Sequence, residues 1–214
     1  MIRHMPDDLA AGYRRFRQGR YVEEEARYRE LAEGQTPRTM NIACADSRVD
    51  PATIFAAGPG ELFVVRNVAA IVPPCDPSGG YHGTSAAIEF AVTGLKVANI
   101  VVMGHGQCGG ISAALAAADD HPVGQFIGPW VGLIKDVRDE LLSRAPDADA
   151  NERQRSLERM AVQQSLHNLL TFPFIVEAVD AGRLELSGAW FSIMEGELHW
   201  LDWDRGVFER VAAD

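Results

Sequence analysis

Ala98-Asn99-Ile100-Val101-Val102-Met103-Gly104-His105-Gly106-Gln107-Cys108-Gly109-Gly110 runs from a Val/Ile-rich apolar segment into a glycine loop, and residues 111–118 behind it are Ala-rich. A short apolar run bounded by turn residues predicts a buried strand, and the Ala-rich stretch predicts a helix. Two similar runs stand upstream, at 40–43 and 62–65. Between the last two strands, Ile88, Ala91, Val92 and Leu95 share one helical face in residues 84–95, behind Thr84 as a cap. Strand and helix alternate, so the expected class is α/β, a mostly parallel central sheet flanked by helices.

Outward from this centre the pattern changes at both ends. Leu9, Tyr13, Phe16, Tyr21, Tyr28 and Leu31 recur at helical spacing among charged residues, which predicts an N-terminal helical arm over residues 1–34. Its apolar stripe needs cover, either from its own domain or from a second subunit. Residues 35–214 then form one α/β domain that carries the chemistry. Helices are expected at 131–142 and 156–170, the second stopped by Pro173, with residues 143–155 as an exposed loop. Residues 184–194, the Glu195-Gly196 turn and residues 197–202 read as an antiparallel hairpin or meander at the sheet edge.

Composition narrows the function. The 214 residues are 47% hydrophobic and carry a formal charge of -10, with a pI near 5.0. Nucleic acid and anionic membranes attract basic surfaces, so a small substrate is the better fit. No run approaches the ~18 apolar residues of a membrane span, and the start of the chain lacks the apolar core of a secretory signal. A soluble, cytoplasmic protein is expected. Its three cysteines, Cys44, Cys75 and Cys108, are too few for a disulfide framework and are read as reduced.

Two strand ends carry the chemistry. Residues 40–43 run into Cys44-Ala45-Asp46-Ser47-Arg48, and residues 98–103 run into the loop of His105 and Cys108. If the strands are neighbours, two thiols and an imidazole meet beyond their carboxyl ends, where open parallel sheets collect ligands. That donor set suits zinc, and three protein ligands leave one tetrahedral position for water, as in catalytic sites. Asp46 and Arg48 lie two residues apart on one face of an extended segment and can pair. The arginine fork would keep the carboxylate ionised and out of the metal's reach, a gate on its fourth position.

The bland readings are a buried small residue for each cysteine and a turn ion pair for Asp46 with Arg48. The joint placement of all five residues at two strand ends favours the metal. Gly104-His105-Gly106-Gln107-Cys108-Gly109 also fits the G-x-G-x-x-G dinucleotide pattern. That fingerprint needs an acid about 20 positions on, after a second strand. The nearest acids, Asp119 and Asp120, precede His121-Pro122-Val123-Gly124, which has no strand character.

At these residues the sequence resembles the β-carbonic anhydrases. Cys44-Ala45-Asp46-Ser47-Arg48-Val49 resembles their first zinc motif, and His105-x-x-Cys108-Gly109-Gly110 their second. Gly60-Glu61-Leu62-Phe63-Val64-Val65-Arg66-Asn67 and the segment from Ala86 to Val92 are also similar to family sequence. Gln35 and Val72-Pro73-Pro74 point to the plant-type subgroup. The resemblance implies reversible hydration of carbon dioxide to bicarbonate and a proton by a zinc-bound hydroxide. One Zn2+ per chain would sit on Cys44, His105 and Cys108. It further implies Asp46 and Arg48 as catalytic residues, and a homodimer or homotetramer whose N-terminal helices embrace the neighbour. Gln35, Phe63 and Phe90 would line the carbon dioxide pocket, with backbone amides near Gly109 holding bicarbonate.

Three departures from the family pattern stand out. Phe90 replaces a common tyrosine, and Gly94 stands where some plant members have a shuttle histidine, leaving His82 as a weak substitute. The inhibitory bicarbonate site of another subgroup would retain only Arg66, since Asn41 and Trp190-Phe191 occupy its other positions, so that site is expected to be absent. Hydrolysis of carbon disulfide or carbonyl sulfide, and a purely structural zinc with Asp46 as fourth ligand, remain open alternatives at the level of sequence.

Overall fold

The computed structural model describes residues 4–78, 80, 82–119 and 123–212. Asp120, His121 and Pro122, cited above, lie outside them. The chain divides into two compact units, Met1–Thr36 and Pro37–Asp214.

The first unit is three helices, α1 (Asp7–Gln18), α2 (Arg20–Glu23) and α3 (Glu25–Glu33). The expected arm is helical but broken, once at Gly19 and again at Glu24. None of its helical residues is buried. The rings of Phe16, Tyr21 and Tyr28 cluster with centroids 5.3–5.9 Å apart. That cluster holds the short helices together where local propensity alone is marginal.

The second unit is built on β1 (Thr39–Cys44), β2 (Leu62–Asn67), β3 (Asn99–His105), β4 (Glu185–Ser192), β5 (Glu197–Asp202) and β6 (Val207–Arg210). The sheet order is β2-β1-β3-β4-β5-β6. The first four strands are parallel, and β4, β5 and β6 form an antiparallel meander at the edge. The chain leaves β1 for β2 on one side and later returns to β3 on the other. This makes the carboxyl ends of β1 and β3 a topological switch point, where loops diverge and leave room for a ligand. Ala43 is level with Met103, so Cys44 and His105 emerge one and two residues further along adjacent strands.

The helices of this unit are α4 (Pro51–Ile54), α5 (Gly83–Glu89), α6 (Gly109–Ala116), α7 (Ile127–Val131), α8 (Lys135–Arg144), α9 (Ala150–Leu169) and α10 (Pro173–Asp180). No helix among the described residues is long and apolar enough to cross a membrane. One apolar cluster packs Met40, Ile42, Ile100 and Val102 against Ile88, Val162, Leu166, Leu169 and Ile175. A second surrounds Cys44, Cys108, Ile111, Leu157 and Ala161. Helix α9 contributes to both, and its buried polar residues hold loops. Ser165 Oγ accepts from the N–H of Val72, and Asn168 Nδ2 donates to the Val72 carbonyl.

Several local expectations are corrected. Residues 143–155 are not one loop: α9 begins at Ala150, because Asp149 and Glu152 form a reciprocal capping box. The polar run after Ala150 is the solvent face of a helix. Pro173 does not merely end a helix but opens α10 at its first position, where a missing N–H costs nothing. Thr84 is not a cap; its Oγ1 accepts from Asn67 Nδ2 at 3.3 Å. The helix expected at 84–95 is α5 followed by a π-helical stretch, Phe90–Leu95.

Candidate metal centre

Cys44 closes β1, His105 closes β3, and Cys108 sits at the N-cap of α6. All three are buried, and their ligand atoms lie within 4.8 Å of one another. The two sulfurs are 3.8 Å apart. Asp46 is not part of this mutually close set among the described residues.

His105 is already oriented as a ligand. Its Nδ1 is 2.9 Å from the carbonyl oxygen of Gly106, and a carbonyl only accepts, so the ring proton belongs on Nδ1. The Nε2 lone pair is thereby left on the side of the sulfurs, and Nε2 is a buried nitrogen with no hydrogen-bond partner. A buried polar atom without a partner is costly unless a ligand uses it. With two thiols beside that lone pair, the donors fit zinc, which takes sulfur and imidazole in a tetrahedral array.

The electrostatics agree. The hydrogen bond from Cys108 draws the Cys44 thiol down, against burial and with help from His105. The same contact, with burial, pushes the Cys108 thiol up. Two adjacent thiolates repel, so the pair resists losing both protons. A divalent cation removes that resistance, because a coordinated thiol is deprotonated outright.

The Asp46–Arg48 dyad stands beside the donors. Arg48 Nε donates to Asp46 Oδ1 at 2.9 Å and Nη2 donates to Oδ2 at 2.7 Å, while the Arg48 N–H also donates to Oδ1. These bonds hold the carboxyl well below the usual carboxylate range, against its partial desolvation. Asp46 Oδ2 is 3.9 Å from His105 Nε2. Arg48 Nη2 also donates to the Gln107 carbonyl at 3.1 Å, which Gln107 presents from a left-handed backbone, φ 55°. One side chain thus joins the two ligand loops.

Other predicted site residues are placed as follows. Phe63 on β2 and Phe90 at the end of α5 face each other, with centroids 5.9 Å apart. Phe90 is half exposed, and a Cβ at Gly94 would lie 3.4 Å from its ring. Gly109 opens α6 with open space where its Cβ would be. Gln35 is exposed and belongs to the N-terminal unit.

Sequence reasoning assigned no positive role to Arg66. Its guanidinium donates to the carbonyls of Cys44 at 2.9 Å, Asp46 at 2.5 Å and Val49 at 2.8 Å. It clamps the first ligand loop. Glu158 was missed as well, although an acid sharing a helical face with Ala161, Val162 and Ser165 was a visible anomaly. It is 3% exposed and accepts from the Cys108 N–H.

Gly110 is a packing requirement. A Cβ there would meet Val68 Cγ1 at 2.6 Å and Ala69 Cβ at 2.9 Å. Ala69 and Ala70 both have positive φ, so that loop has little freedom to yield. Gly110→Ala is expected to cost about 1–3 kcal/mol of stability through overpacking. A melting temperature unchanged by the substitution would contradict this.

Fold and donor set define a metal-binding α/β protein whose three donors meet at a sheet switch point. A family model described as carbonic anhydrase matches residues 39–198. Beta carbonic anhydrase 5, chloroplastic, of Arabidopsis thaliana is 35% identical over 189 residues, covering 88% of this chain; the chain spans 62% of that relative's length. The solved structure of the β-carbonic anhydrase CcaA superposes with a TM-score of 0.90 at 30% identity, covering 96% of this chain and 92% of the other. A tetrameric β-carbonic anhydrase from Sordaria macrospora gives 0.76 at 34% identity, covering 92% and 93%. The chain therefore belongs to the carbonic anhydrase family, in its β class.

Proposed function

We propose that the chain catalyses the reversible hydration of carbon dioxide to bicarbonate and a proton. The observation that carries this reading is the buried Cys44, His105 and Cys108 set with the Asp46–Arg48 pair alongside. Those three side chains would hold zinc, which, when bound, lowers the pKa of its water so that it ionises near neutral pH. Asp46, kept anionic by Arg48, accepts a hydrogen bond from the nucleophile and turns its lone pair toward the substrate. Arg48 positions Asp46. With both of its oxygens engaged by Arg48, Asp46 is poorly placed to serve as a permanent ligand, which disfavours a purely structural metal.

Phe63, paired with the Phe90 ring, is level with Met40, four residues before Cys44 on β1, so the two rings would line a carbon dioxide pocket only across a subunit interface, whereas Gly109 lies at the start of α6 beside Cys108. A homodimer or homotetramer is supported by the unburied aromatic stripe of the N-terminal arm and by the tetrameric state named for the Sordaria relative. A reducing, cytoplasmic compartment suits three free cysteines, two of them required as thiolates.

A stopped-flow pH-indicator assay with carbon dioxide, run on the zinc-loaded protein beside a metal analysis, tests the reading. The expected result is one zinc per chain and hydration far above the uncatalysed rate. Full zinc loading with background hydration would overturn it, and turnover of carbon disulfide or carbonyl sulfide in place of carbon dioxide would redirect it.

A further inference from the structure

Helix α9 places a carboxylate directly behind the second ligand loop. Glu158 Oε1 accepts from the Cys108 N–H at 3.0 Å and from Gln154 Nε2 at 2.8 Å. Its Oε2 accepts from the indole Nε1 of Trp190 at 3.1 Å. Gln154 Nε2 also donates to the Cys108 carbonyl at 2.9 Å. Both peptide groups flanking the Cys108 Cα are therefore fixed by side chains one turn apart on a single helix.

The arrangement is more elaborate than packing requires. A buried carboxylate is expensive, and a well-packed apolar residue of similar size is often as stable or more so. Glu158 is nonetheless buried, its oxygens taken by three neutral donors and its charge felt by the neighbouring Arg159 guanidinium rather than hydrogen-bonded to it. The backbone around it is equally constrained. A Cβ at Gly104 would strike Val162 of α9 at 2.7 Å, and one at Gly106 would meet the Trp190 ring at 3.1 Å. The loop from Gly104 to Cys108 is pressed against α9 and β4, with Glu158 at the contact.

We propose that Glu158 and Gln154 are positioning residues of the metal centre. By fixing the planes on either side of Cys108 they aim its Sγ at the point shared with Cys44 and His105. This rests on the reading of Cys108 as a ligand. A rigid outer shell raises metal affinity because the ligand is ordered before the ion arrives. Glu158→Gln is a sharp probe. The amide keeps the shape and one acceptor, but its NH2 must face either the Trp190 indole N–H or the Cys108 and Gln154 donors, so a donor meets a donor.

The test measures metal affinity by chelator competition with zinc, and records the cobalt-substituted protein's thiolate-to-cobalt charge-transfer absorption. Glu158→Gln is expected to weaken affinity about 10–100-fold and to shift or weaken the cobalt band. Gln154→Met, which removes one bond to Cys108 and one to Glu158 while filling the space, moves both readouts in the same direction. Ile175→Val in the other apolar cluster is the control; it lowers the melting temperature and leaves affinity and spectrum unchanged. Wild-type affinity and spectrum in a folded Glu158→Gln, or in Gln154→Met should the first variant not fold, overturns the proposal. A wild-type protein that binds no zinc would instead overturn the ligand assignment beneath it.

Discussion

Cys108→Ala is expected to lose metal and turnover together, with metal content falling from one per chain to near zero and hydration falling to background. The argument starts from the donor count. Among the described residues, Cys44, His105 and Cys108 are the one group of ligand atoms close enough to share an ion. Removing one leaves two donors and, among the described residues, no third in the close set, while Asp46 is already committed to Arg48. Without the ion, water at the site would no longer ionise near neutrality, so the nucleophile would be lost at neutral pH. The fold should survive, since the substitution trims one small buried side chain and leaves the Glu158 bond to the residue 108 backbone available. Far-UV circular dichroism, metal analysis and stopped-flow hydration on one preparation separate the cases. A metal-loaded or fully active variant would refute the assignment.

The centre was legible in the sequence because its parts are local. Each ligand follows directly from a strand whose apolar run is unmistakable, so finding β1 and β3 almost locates Cys44, His105 and Cys108. The parallel adjacency of those strands then had only to be true, and their register makes it so. The Asp46–Arg48 ion pair was readable for the same reason, its partners two residues apart on one segment. Glu158 and Arg66 were harder, because their roles depend on contacts 50 and 22 residues distant. A sequence shows the acid on an apolar helical face but not the backbone N–H it meets. The errors in the fold have a related origin. Polar residues 150–155 resemble a loop until Asp149 and Glu152 are recognised as a capping box, and Pro173 marks both the end of one helix and the start of another. The short strand β6 lacked the apolar alternation that identified β4 and β5, and two of its four residues, Glu209 and Arg210, are charged.

Asp46→Ala is expected to separate binding from chemistry, keeping one zinc per chain while reducing turnover about 10²–10⁴-fold, the usual contribution of a positioned acid–base or orienting group. Asp46 supplies no atom to the close donor set, so metal loading should not depend on it. Its value lies in its charge and direction. Arg48 holds both oxygens and keeps the carboxylate ionised, so at neutral pH it can only accept, never donate. On the proposed reading, an acceptor fixed at this point would dictate which way the nucleophile's remaining lone pair faces. Because that ordering matters most as the new bond forms, the loss should fall on kcat and kcat/KM alike. Arg48→Lys should follow it more weakly, since a lysine ammonium cannot reproduce the two-pronged contact or reach the Gln107 carbonyl from the same planar group. Loss of zinc in parallel with activity would make Asp46 a ligand, and undiminished turnover in a zinc-loaded Asp46→Ala would remove it from the mechanism.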